Sequence, residues 1–169
     1  MAGLRLWLAL LVASLAAAPA LAQEPEEVLR PCRRADLIGL WDVIRFGFAS
    51  GAEVDRTDPA YRMHQRYVFN ANATMVYVAS ATPLTLDDER ALRQAPSVVT
   101  WALDASGRLM SQRPGATRAE MSDCRIVTQR LRDPRSPVPA LPGDVLLTDQ
   151  GADERPIARR LLRKLRSGR

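Results

Sequence analysis

The sequence predicts an all-β protein, an eight-stranded up-and-down antiparallel barrel with one short connecting helix. Three observations carry this. Short segments of alternating apolar and polar residues recur along the chain; turn residues separate most of them; and only one stretch combines helical caps with helical charge placement. An even set of consecutive strands removes its exposed edges by closing on itself. An open two-sheet sandwich is the alternative.

Residues 1–22 read as an export leader. Arg5 precedes the apolar run 6–18, and Ala20 and Ala22 offer the small-residue pattern that a signal peptidase cuts after. The run is too short to serve as a membrane anchor, and no later apolar stretch approaches membrane-spanning length. No Cys follows the cut, so no lipid anchor is expected. The expected location is the periplasm or the medium, with residues 23–37 as an arm ending in a helical turn and 38–169 as the barrel.

Residues 38–48 (IGLWDVIRFGF) form the first strand, with Trp41 and Val43 on one face and Ile44, Phe46 and Phe48 on the other. Residues 61–69 follow a loop and place Met63, Gln65, Tyr67 and Phe69 together, against Arg62, His64 and Arg66. A turn at 70–73 leads to the strand 74–79, which carries Tyr77, so 61–79 is a hairpin. Thr85 is a helix cap with Asp88 three residues on; Asp87, Asp88 and Glu89 suit the positive end of the helix dipole, and Pro96 stops it. Residues 97–103, with Trp101, pair across the turn 104–107 with 108–112. Residues 121–131 make a long strand with Cys124, Ile126 and Thr128 on one face. Pro134, Pro137, Pro139 and Pro142 stiffen the loop 132–143. A strand at 144–148 precedes 156–165, where helical and strand periodicities compete; a strand closing a final hairpin is preferred.

At this point the chain resembles a known family. Gly39-Leu40-Trp41, on the first strand behind a short helical turn, is similar to the G-x-W element of lipocalins and lipocalin-like proteins. The resemblance implies that Trp41 closes one end of the barrel beneath an arginine from the last strand, here Arg159 or Arg160. A guanidinium over an indole gains about 0.5–2 kcal/mol, and Gly39 lets the backbone come close. The helix departs from the lipocalin pattern, since it follows the third strand instead of the barrel.

Cys32 and Cys124 are the only two cysteines. In an oxidising compartment they pair, the alternative being two buried thiols. Closing a loop of about a hundred residues is worth up to about 4–5 kcal/mol in the chain-entropy model. Neither cysteine lies in a C-x-x-C motif, which argues against thiol–disulfide exchange.

The net charge is +5, with 24 basic residues of which only Lys164 is lysine. The arginines are interleaved with 19 acids and read as a codon bias and a solvated surface. The exception is the basic run 159–166, which favours an anionic partner. A nucleic-acid role does not fit an exported chain.

His64 is the single histidine and lies on the polar face of its strand, so it reads as a surface residue. No metal site, nucleophile dyad, G-x-S-x-G turn or phosphate-cradling loop is recognisable, and neither a cofactor nor an enzymatic activity is expected. Phe46, Phe48, Tyr67, Phe69, Tyr77 and Trp101 either line an apolar pocket or fill a solid core. An aromatic share of 5% favours the filled core, whereas Gln65, Tyr67 and Thr128 are polar residues better suited to a pocket. The expected function is binding of a small apolar or amphipathic ligand. The alternative is a periplasmic interaction protein, such as a protease or lysozyme inhibitor, that works through the arm 23–30 or the loop 132–143.

Overall fold

A computed structural model describes residues 27–134 and 136–165. The expected leader therefore lies outside the described residues. Nine strands and two α-helices follow in the order β1 (Leu29–Pro31), α1 (Arg34–Leu37), β2 (Gly39–Phe48), β3 (His64–Phe69), β4 (Thr74–Ser80), α2 (Leu86–Gln94), β5 (Val99–Leu103), β6 (Arg108–Gln112), β7 (Glu120–Val127), β8 (Val145–Gln150) and β9 (Pro156–Lys164). A single 3-10 turn, Pro59–Tyr61, interrupts the long β2–β3 loop.

Strands β2 to β9 pair consecutively and antiparallel, and β9 pairs back onto β2, so the eight close into an up-and-down barrel. The segment with competing periodicities is a strand. Ala158, Arg160 and Leu162 are buried on it while Arg159 is exposed. β1 lies outside the ring of eight. It continues the β6 edge by pairing Leu29–Pro31 with Val127–Arg125 of β7, where the sequence had suggested a loose arm.

The expected faces of β2 are wrong in one respect. Trp41 and Val43 are buried, yet Phe46, on the opposite face of a regular strand, also packs against the core. The register explains this: Val43 pairs with Leu162 and Arg45 with Leu161, leaving Ile44 as an extra residue. That β-bulge reverses the alternation, so both halves of β2 contribute inward side chains.

At one end the barrel is plugged. Leu37 and Trp41 are 0% and 1% exposed, and the Trp41 indole N–H donates to the Leu37 carbonyl at 2.6 Å. The cation above the indole is Lys164, with Nζ 5.3 Å from the ring centre, and neither Arg159 nor Arg160. Lys164 is the register partner of Trp41, whereas Arg159 and Arg160 pair with Gly47 and Phe46 towards the far end of β2. Gly39 is needed for its backbone, whose φ is +133°. The only atoms an added Cβ would meet belong to the end of the flexible Lys164 side chain, with Cε at 2.6 Å.

Cys32 and Cys124 form a disulfide, both buried, that ties the β1–α1 junction to β7. Gly107 lets the β5–β6 turn close beneath it: φ is +88°, and a Cβ would meet the Cys124 carbonyl at 2.6 Å. Helix α2 is capped as the sequence predicts, with Thr85 Oγ1 accepting from Asp88 N–H and the Asp88 carboxylate accepting from Thr85 N–H. It rests on β3, where Arg66 donates to the Thr85 carbonyl and pairs with Glu89.

Candidate functional site

The end of the barrel opposite Trp41 is hollow. It is framed by the end of β2 and the start of β3, the ends of β4, β6 and β8, and the starts of β7 and β9. A cavity of about 640 Å³ opens there. Its floor is apolar, formed by Tyr67, Phe69, Met75, Leu109 and Leu147. Its rim is polar, with Asp58, Arg113, Arg118, Glu120 and Glu154. The wall is incomplete on one side. β4 pairs with β5 only through Thr74 with Thr100 and Met75 with Val99, so the upper half of β4, including Tyr77, has no strand neighbour on that side.

A charged network sits between floor and rim. Arg160 points inward from β9 and is 5% exposed. Its Nε donates to Gln65 Oε1 at 2.8 Å, its Nη2 donates to the Ala60 carbonyl at 3.0 Å, and its Nη1 pairs with the Asp149 carboxylate. The guanidinium carbon lies 5.2 Å from the centre of the Phe46 ring and 6.0 Å from that of Tyr61. Gln65 is 1% exposed and is fully used: Oε1 also accepts from Tyr67 Oη at 2.8 Å, and Nε2 donates to the carbonyls of Ala60 and Arg62. Ser122 Oγ donates to the other Asp149 oxygen at 2.9 Å. Arg160 thereby joins three elements: the β2–β3 loop, β3 and β8.

The electrostatics follow from this burial. Desolvation pushes the Tyr67 hydroxyl up to about 12, so it stays a neutral donor to Gln65. Tyr61 is also raised, chiefly by burial and then by the Asp149 charge. Burial works against the charge on Arg160, but Tyr67 and Asp149 outweigh it and the group is held above its ordinary value. Arg113 pairs with Glu120 at 2.7 Å and lies over the Tyr77 ring, with its guanidinium carbon 5.6 Å from the centre. The exposed Arg118 has no ion pair or hydrogen bond from its side chain among the described residues.

The residues expected from the sequence to line a pocket divide into three groups. Tyr67, Phe69 and Tyr77 line the cavity. Gln65 and Phe46 lie beneath it and hold Arg160, while Phe48 does not line it: it packs edge-on to Tyr61 and borders a separate groove on the outer wall. Trp101 and Thr128 do not reach it. Trp101 is buried in the core, edge-on to Phe69, with its indole N–H on the Thr74 carbonyl. Thr128 lies past the end of β7 and donates to the Glu27 carbonyl at 2.5 Å. Met63 lies before β3 and is 59% exposed. Arg160, expected at the plug, instead belongs to the cavity. Reading β9 as a strand with Leu162 inward puts Arg160 inward too, so the signal was present. Asp149 and Tyr61 carried no such signal, because both depend on loop and register geometry.

Fold and cavity together define a closed eight-stranded up-and-down barrel, plugged at one end and hollow at the other. No protein-family model matches the chain, and comparison with curated proteins and with solved structures likewise returns no match.

Proposed function

We propose that this protein is an exported barrel that binds one small amphipathic molecule in the cavity opposite Trp41. The observation that carries the reading is the cavity's polarity. An aromatic and aliphatic floor lies below a rim of arginines and carboxylates, in a volume of about 640 Å³. Small-molecule sites commonly span roughly 300–1,000 Å³ and combine an apolar lining with a few placed polar groups. An apolar body would lie against Tyr67, Phe69 and Met75, and a polar end would meet Arg113 and Arg118. The leader-like residues 1–22 and the disulfide support export to an oxidising compartment.

The test is native mass spectrometry of the protein purified from its own host. The expected result is an excess mass that disappears on denaturation and corresponds to one small amphiphile per chain. A clean apo mass, together with no response to a panel of fluorescent acyl probes, refutes the reading.

A further inference from the structure

The charges around the cavity mouth do not all cancel in pairs. Three arginines and four carboxylates line the cavity. Arg160 is paired with Asp149 between floor and rim, and Arg113 with Glu120 at the rim. Three exposed groups are left over: the Arg118 guanidinium and the carboxylates of Asp58 and Glu154. None of the three has an ion pair among the described residues. The Asp58 carboxylate accepts one backbone N–H, that of Ala60. A ligand entering here therefore meets one uncompensated cation and two uncompensated anions.

The topology orders these three groups around the mouth. Asp58 lies on the β2–β3 connection, Arg118 on β6–β7 and Glu154 on β8–β9. The β8–β9 turn neighbours both of the others, because β8 pairs with β7 and β9 with β2. Glu154 thus stands between Arg118 on one side and Asp58 on the other. Ser122 is the register partner of Asp149, so Arg118 and Glu154 extend from two adjacent strand ends, yet they form no ion pair. Glu154 also carries a backbone cost. Its φ is +61°, in the turn that the Gly151 N–H closes onto the Arg155 carbonyl. Glycine takes that conformation freely and glutamate does not. Strain of this kind collects at ligand sites.

We infer that the head of the ligand is zwitterionic: an anionic group, carboxylate or phosphate, is held by Arg118, and an ammonium group by Glu154 and Asp58. The inference rests on the cavity being a ligand site, and it names which amphiphiles that site takes. A purely anionic head satisfies Arg118 but is repelled by the two carboxylates beside it. A purely cationic head satisfies the carboxylates but is repelled by Arg118. Only a head that carries both charges meets a partner on each side, so the unpaired groups select against singly charged competitors.

Calorimetric titration with three amphiphiles that share one dodecyl chain tests the inference, each kept below its micelle-forming concentration. The probes are dodecylphosphocholine, dodecyl phosphate and dodecyltrimethylammonium. The zwitterion should bind the wild type about fivefold more tightly than either of the others, the ratio that one exposed ion pair supplies. R118Q should erase its advantage over the cation, and E154Q should narrow its advantage over the anion. E154G removes the carboxylate and eases the backbone together. Its unfolding midpoint should therefore be no lower than that of the wild type, while the preference over the anion narrows as in E154Q. An anionic or cationic probe that binds the wild type as tightly as the zwitterion overturns the inference, as do ratios that R118Q and E154Q leave unchanged. If all three probes bind alike, the ligand site stands and the zwitterionic head alone is refuted. If none binds, the ligand site fails and the inference with it.

Discussion

Replacing Arg160 with Met removes the cation that joins the β2–β3 loop, β3 and β8, while keeping most of the side-chain volume. The three acceptors respond differently. Gln65 Oε1 keeps the Tyr67 hydroxyl, and the Ala60 carbonyl keeps Gln65 Nε2. Asp149 alone is left as a charge without a counter-charge, retaining only Ser122. Removing one partner of a buried pair costs about 3–5 kcal/mol. The Asp149 side chain is 18% exposed, so water replaces part of what is lost. The expected cost is therefore about 2–3 kcal/mol, at or just below the lower end of that range. Urea unfolding of the oxidised protein measures it, with an unchanged m value showing that the two end states are preserved. Asp149→Asn in the Arg160→Met background removes the orphaned charge, so the double variant should be more stable than the sum of the single losses by at least about 1 kcal/mol. A loss below about 0.5 kcal/mol for R160M, or strict additivity in the double, refutes the network as described.

Three further outcomes follow from named contacts. Tyr67 has a folded-state pKa raised to about 12, so its contribution to stability is complete below the unfolded-state value near 10 and is lost as pH rises through the folded value; spectrophotometric titration of the phenols should show a late step near pH 12 that Tyr67→Phe removes. Gly39→Ala puts an L side chain at a φ of +133° and displaces the end of Lys164 from above the indole, and should cost about 1–3 kcal/mol and change the Trp41 environment in near-ultraviolet circular dichroism. Reducing the Cys32–Cys124 disulfide should cost about 2–5 kcal/mol in the same urea assay.

Much of the barrel was legible from alternation and turns. The strand at 108–112 and the capped helix after Thr85 fall where local pattern places them, because hairpin turns and caps are written in adjacent residues. Four features were not. β1 hides in an acidic, proline-containing segment and forms only because the disulfide and Thr128 hold it to β7. The bulge at Ile44 leaves no local mark, yet it decides which way Phe46 faces. The plug's cation was misassigned for a related reason. The choice between Lys164 and the two arginines depends on register across β2 and β9, which composition does not contain. Whether the interior is hollow is likewise a matter of how strands diverge, and the two-residue seam between β4 and β5 has no signature in either strand.

The central claim is that the mouth opposite Trp41 is a working cavity, and filling it is the most direct test. Ser111 lines the cavity from β6 without belonging to the buried core, so Ser111→Trp should occupy the space and leave the fold intact. Fluorescence titration with anilinonaphthalene sulfonate, an anionic amphiphile, should give saturable binding of one probe per wild-type chain and no binding to the filled variant, at matched circular dichroism and unfolding midpoint. Equal binding to both proteins would contradict the account.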